Sequence, residues 1–369
     1  MAGALDAAAA NWMRLGSTLL AKTDHASTLA HAVSEAARPS RPVASEWIDR
    51  SLGRYDIKTV LGQGAMGYVY EAWDRDLKRS VALKILPKRI EPGCEPIGLK
   101  MFLQEARLAA NLQHPNVVTV YEIGAEDGIH YFAMERIHGV TVARLVEEHG
   151  PLPTSQCLYI VAAAARALAT GHAAGAVHRD VKPSNIMINT SGLVKVTDFG
   201  LADVGGIEGV SELSARPVGT PGWMSPETAR GERTGPAGDI YSLGLVLYFV
   251  LTGERLVDAD TRSGVVRKHQ AAVSVRHDAM PADWPPRLRD IVVQCLQADP
   301  RDRYQSADTL AAELLRALVP SEDDATVVLS DGGHAVRGRV PLLVSRLALV
   351  LLAVVTGLFG LWWWVIRTR

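Results

Sequence analysis

The reading of this chain turns on Val177-His178-Arg179-Asp180-Val181-Lys182-Pro183-Ser184-Asn185, with Asp198-Phe199-Gly200 eighteen residues beyond Asp180. The two segments concentrate a base, a cation and two hard oxygen donors. Asp180 can accept a proton from a hydroxyl nucleophile. Lys182 follows two residues later, so an extended backbone points both side chains to one face. Its ammonium can then neutralise charge developing beside that base. Asn185 and Asp198 offer oxygen ligands of the kind that Mg²⁺ prefers. Pro183 fixes φ and stiffens the segment.

Working outward towards the N-terminus, Tyr55-Asp-Ile-Lys-Thr-Val-Leu61 alternates like a strand and runs into Gly62-Gln63-Gly64-Ala65-Met66-Gly67. A GxGxxG pattern also marks dinucleotide-binding turns, which require a helix directly after the glycines. Here Tyr68-Val69-Tyr70-Glu71-Ala72-Trp73 follows, which is β-like. A hairpin with a glycine-rich tip is therefore expected, and without Cβ atoms its backbone can approach phosphates closely. Val81-Ala-Leu-Lys84-Ile-Leu86 is a strand with one charge among apolar residues. Phe102 to Leu112 reads as a helix with Phe102, Leu103, Ala106, Ala109 and Ala110 on one face, and it carries Glu105. Taken alone, Lys84 reads as a solvated edge residue and Glu105 as a surface residue. Val117–Ile123 and Ile129–Met134 are further strands, joined by an Asp127-Gly128 turn. Downstream of the opening stretch, Asp239 to Gly253 is a strongly apolar helix, and Asp308 to Leu318 is an amphipathic one.

Together these segments resemble the eukaryotic-like (Hanks-type) serine/threonine protein kinases of bacteria, over residues 53–318. The resemblance implies an α+β, bilobal protein kinase fold. A β-rich small lobe of five strands would span 53–137 and a helical large lobe 138–318. It implies ATP and Mg²⁺ and protein substrates with Ser or Thr hydroxyls. Leu61, Gly62, Gly64, Gly67 and Val69 would cover the nucleotide; Val69, Ala82 and Met187 would sandwich the adenine. Backbone groups of Glu135 and Ile137 would bond the adenine edge, behind the gatekeeper Met134. Glu105 would hold Lys84 towards the α and β phosphates. Asn185 and Asp198 would hold magnesium, Asp180 would act as base, and Lys182, which follows the Ser/Thr pattern, would stabilise the transferring group. Gly219-Thr-Pro-Gly-Trp-Met224 resembles the substrate-side loop. Ser225-Pro-Glu227 stands where the family usually has Ala-Pro-Glu, and Arg303 would pair with Glu227. Asp239 would receive backbone N–H groups of the catalytic loop.

Between Asp198 and Glu227 the sequence loses periodicity, as an activation segment does. Arg179 calls for a counter-anion, and Ser214, with Ser211 as the runner-up, is placed to supply one by autophosphorylation. Two other classes remain open: a pseudokinase scaffold that binds nucleotide without turnover, and a membrane platform that recruits partners through its N-terminal arm. The first usually lacks the Lys, the base or the metal Asp, and all three are present here.

The chain has 369 residues and a net charge of −1, which gives no nucleic-acid footprint. Cys94, Cys157 and Cys295 have neither metal spacing nor a disulfide framework. Residues 1–52 form an Ala-rich arm and Pro-containing linker, and the start lacks the basic region of a secretory signal. Residues 319–340 read as a juxtamembrane linker in which Thr326 lies in an acidic patch. Leu347 to Ile366 is uncharged, long enough for a bilayer core, and carries Trp362, Trp363 and Trp364 near its end. A transmembrane helix is therefore expected within 341–366, contacting lipid and followed by a tail at 367–369, with no sensor domain beyond it. The need for ATP places the kinase on the cytoplasmic side of the cell membrane. A homodimer is among the arrangements the sequence leaves open.

Overall fold

The computed structural model describes residues 46–64, 67–86, 95–199, 219–232, 234–259, 261–271 and 280–318. These all fall in one compact unit, Met1–Pro320. The expected span at 347–366, Thr326, Cys94 and the candidate phosphorylation sites Ser211 and Ser214 lie outside the described residues. Among the described residues no helix is long and apolar enough to cross a membrane.

The N-terminal part is an antiparallel sheet of β1 (Ser51–Leu52), β2 (Tyr55–Gly64), β3 (Gly67–Asp74), β4 (Arg79–Ile85), β5 (Val120–Glu126) and β6 (Ile129–Glu135). Its spatial order is β1-β2-β3-β4-β6-β5. The short β1 makes six strands instead of the expected five; it pairs with the start of β2 through Ser51↔Asp56 and Leu52↔Tyr55. Alternation sends Tyr55, Ile57, Tyr70, Ala72, Leu83, Tyr131 and Ala133 into one buried layer. The opposite parity leaves Val69 and Lys84 paired across strands on the other face. The β5–β6 turn has positive φ at both Asp127 (50°) and Gly128 (74°), the geometry an Asp-Gly hairpin favours.

Helix α1 (Glu95–Asn111) buries Phe102 and Ala106 against Leu86 and Phe132. It starts before Phe102, where periodicity alone begins it, because a proline is tolerated in the first helical turn and Pro96 falls there. Strand β5 begins at Val120 instead of Val117. The Val118 N–H donates to Val196 O, so that stretch is captured by a strand of the other lobe.

The large lobe opens with β7 (Gly139–Thr141), α2 (Val142–His149) and α3 (Thr154–Ala173), followed by β8 (Ile186–Asn189) and β9 (Val194–Val196). Strands β7, β8 and β9 form a second small sheet in that order. Gly139 has no substitute there: a Cβ would meet Ile188 O at 1.9 Å. Helices α4 (Pro226–Ala229), α5 (Pro236–Thr252), α6 (Arg262–Gln270), α7 (Pro286–Cys295) and α8 (Ala307–Ala317) complete it. Helix α5 is buried on nearly every side, as its uninterrupted apolar sequence requires. It ends at Gly253, whose φ of 76° is the left-handed geometry of a glycine cap. Helices α2, α4, α6 and α7 were not anticipated. Thr141 caps α2, its hydroxyl accepting from the Arg144 N–H.

Candidate active site

The two lobes enclose a cleft of about 570 Å³. Leu61, Gly62, Val69, Ala82, Lys84, Glu105, Glu135, Ile137, Asp180, Lys182, Asn185, Met187 and Asp198 all line it, brought from five strands, one α-helix, one 3-10 turn and three loops. Gly64 and Gly67 face each other across the tip of the β2–β3 hairpin, with φ of 144° at Gly67. Residues 65 and 66, at that tip, are outside the described residues.

Lys84 is 4% exposed. Its Nζ lies 2.6 Å from Glu105 Oε1 and 2.9 Å from Asp198 Oδ1. This excludes the edge-lysine and surface-glutamate readings. Burial works to lower the Lys84 pKa, but the Asp198 and Glu105 carboxylates outweigh it and hold the ammonium charged. Burial, aided by Asp198 and opposed by Lys84, pushes Glu105 up to about 7. Asp198 goes the other way: burial would raise it, but Lys84 holds it below the usual carboxylate range. One cation thus serves two carboxylates.

The catalytic-loop segment is fixed from behind. Asp239, 1% exposed at the start of α5, accepts from the backbone N–H groups of His178 and Arg179, each at 2.8 Å. It also pairs with His172 Nε2 at 2.8 Å. These contacts stabilise a left-handed Arg179 (φ 62°), a backbone state costly for a non-glycine residue. The His178 ring lies 2.9 Å from Thr197 O and packs on Phe199, which ties this segment to Asp198 (φ 56°).

Lys182 is extended, and its Nζ lies 2.6 Å from Asp180 Oδ2, the same-face arrangement expected from the two-residue spacing. Thr220 was not foreseen as a site residue. Its hydroxyl and N–H donate to Asp180 Oδ1 at 2.8 and 3.0 Å, and Lys182 Nζ donates to that hydroxyl at 2.8 Å. Forty residues separate Thr220 from Asp180, so local sequence gives no hint of the contact.

The donor set can be tested against a divalent cation. Asn185 Nδ2 donates to Asp180 O at 2.9 Å and lies 3.3 Å from Asp180 Oδ2, which leaves the Asn185 Oδ1 as the acceptor end. Asp198 has one oxygen on Lys84 and a side chain about one-third exposed. Among the described residues no group of three His, Cys, Asp or Glu could hold a metal by itself. Asn185 and Asp198 therefore fit Mg²⁺, which takes one or two protein oxygens and completes its shell with phosphate and water.

The protein kinase domain model matches residues 55–315. The chain belongs to the protein kinase domain family, whose members use ATP with a divalent metal. Within that family it is similar to the bacterial serine/threonine-protein kinases. PknB of Mycolicibacterium smegmatis is 39% identical over 291 residues, covering 75% of this chain and 45% of that protein. PknB of Mycobacterium tuberculosis H37Rv is 38% identical over 287 residues (75% and 45%). PrkC of Bacillus subtilis is 35% identical over 268 residues (73% and 41%). The chain thus spans under half the length of these relatives.

Proposed function

We propose that the protein transfers the γ-phosphoryl of ATP to Ser or Thr hydroxyls of proteins. The observation that carries this reading is the meeting of Lys84, Glu105 and Asp198 within hydrogen-bond distance on the cleft that also holds Asp180, Lys182 and Asn185. Lys84, steadied by Glu105, binds the α and β phosphates. Asp180 orients the acceptor hydroxyl and takes its proton; Lys182, beside it, neutralises charge on the transferring group. Asn185 and Asp198 would hold Mg²⁺, which would supply positive charge against the phosphates. Leu61, Gly62, Gly64, Gly67, Val69, Ala82 and Met187 bind the nucleotide from above and below, and the Glu135 and Ile137 backbone binds its edge. Catalysis is then positioning and charge stabilisation.

The reading extends to autophosphorylation at Ser214 or Ser211 and to membrane anchoring through residues 347–366, with the kinase domain cytoplasmic; the sequence supports both. The presence of Lys84, Asp180 and Asp198 in one cleft weighs against a non-catalytic scaffold. Incubation of the full chain with labelled ATP and a generic acceptor protein, followed by phosphosite mapping, tests these points. Label on Ser or Thr, with a site in 200–218, is expected; no incorporation by folded protein would refute the transfer reading.

A further inference from the structure

We propose that Lys195 is a positioning residue for the nucleotide, acting through Glu135. The inference rests on the kinase reading above. Lys195 lies in β9 between the buried Val194 and Val196 and is itself 6% exposed. A lysine so placed needs partners. Its Nζ lies 2.7 Å from Glu135 Oε2 and donates to Val117 O at 3.3 Å. Glu135 is the last residue of β6, where the chain leaves the small lobe. Its Oε2 also accepts from the Thr119 N–H at 3.3 Å, while its own N–H donates to Thr119 O at 2.8 Å.

Backbone bonds reinforce the same junction. Val196 N–H donates to Asn116 O at 2.8 Å, and Asn116 Nδ2 to Val194 O at 2.8 Å. The α1–β5 connection, the end of β6 and β9 therefore form one cross-linked block, and Asp198 follows β9 by two residues. The next residue of the crossing segment is tied the other way. Arg136 Nη2 faces Glu71 Oε2 on β3 at 3.8 Å. That pair is longer and more exposed, so it contributes little. The Lys195–Glu135 pair, with its lysine buried, is the side-chain contact that ties the end of β6 to β9, beside the Glu135 N–H bond to Thr119 O.

Adenine recognition needs that backbone held in place. A crossing segment released from β9 must be ordered by the nucleotide, and that ordering weakens binding. Neither Lys195 nor Glu135 contacts the transferring group, so the turnover rate is not expected to follow.

The test uses the full chain, with initial rates measured against MgATP and casein. Lys195→Met should raise KM for ATP about 5–10-fold through lost preorganisation. Its kcat should stay within about twofold, the split that marks uniform binding loss. Lys195→Arg should recover KM to within about twofold, and Glu71→Gln should move it by less than about twofold. If Lys195→Met folds poorly, the double variant Glu135→Gln/Lys195→Met, with no charge at either position, gives the same comparison. Unchanged KM in these variants would overturn the proposal. So would a joint fall in kcat and melting temperature at constant KM, which is the signature of a purely structural pair. A folded wild-type chain that transfers no phosphate overturns the kinase reading itself; an active wild type with an insensitive KM overturns only the role of Lys195.

Discussion

Two buried ion pairs of similar chemistry behave differently in this molecule. In the large lobe, Arg303 grips Glu227 with both terminal nitrogens, at 2.8 and 2.9 Å. Its other donors reach the carbonyls of Ala237, Gln297 and Ala298. One cation meets one carboxylate, and the guanidinium is fully hydrogen-bonded. In the cleft, Lys84 is shared between Glu105 and Asp198, so charge does not balance. The first arrangement is complete and holds the lobe together. The second is left with a carboxylate in excess, which a divalent cation bound through Asp198 would offset.

The contrast breaks most visibly at Lys84. Removing its ammonium should lower phosphoryl transfer on the order of 10³-fold by loss of charge stabilisation. The fold should survive, because burial already raises the Glu105 pKa against the opposition of Lys84, and without that ammonium the carboxyl can take up a proton. Lys84→Met, assayed for transfer and for melting temperature, checks both halves. Arg303→Met should do the reverse. It leaves Glu227 buried without its partner and should cost about 3–5 kcal/mol of stability, read by denaturant melts.

A smaller effect comes from His269 on α6, beneath the Pro221–Trp223 turn. It is fully buried, and among the described residues neither ring nitrogen has a well-formed hydrogen bond; its ring lies edge-on to Tyr241. Burial lowers its pKa from 6.5 to about 4, against a weak opposing contact with the Pro221 backbone. The folded state therefore binds fewer protons than the unfolded one between those values. The stability it supplies is complete above the unfolded pKa and falls by roughly 3 kcal/mol as pH drops towards 4. His269→Phe should flatten that slope in urea melts at pH 4 to 7.

Glu227 adds a further acid-sensitive component. Burial would raise its pKa, but the Arg303 hydrogen bonds hold it below the usual 4.5. Its stabilisation persists above that value and disappears as pH falls through the lower folded value. Arg303→Lys, which loses the bidentate grip, should shift the onset of acid unfolding to higher pH.

The sequence made the chemistry legible because its parts sit in short, rigid segments. Asp180, Lys182 and Asn185 are fixed by five or fewer residues of local geometry, and the glycine-rich hairpin announces itself by the β-like residues on both sides. What stayed hidden depends on contacts between distant segments. Thr220 meets Asp180, Lys195 meets Glu135 and His172 meets Asp239 across 40, 60 and 67 residues. The start of β5 moved for the same reason: strand propensity at Val117 yielded to pairing with β9. Helix α2 escaped notice because its eight residues are too few for periodicity to stand out.

The central claim is that the cleft performs phosphoryl transfer with Asp180 as its base. The most direct measurement is single-turnover transfer from labelled ATP to an acceptor protein, comparing the native chain with Asp180→Asn. A loss of about 10²–10⁴-fold in the transfer rate, with ATP affinity and melting temperature retained, is the predicted result. Transfer at the native rate by the asparagine variant would contradict it.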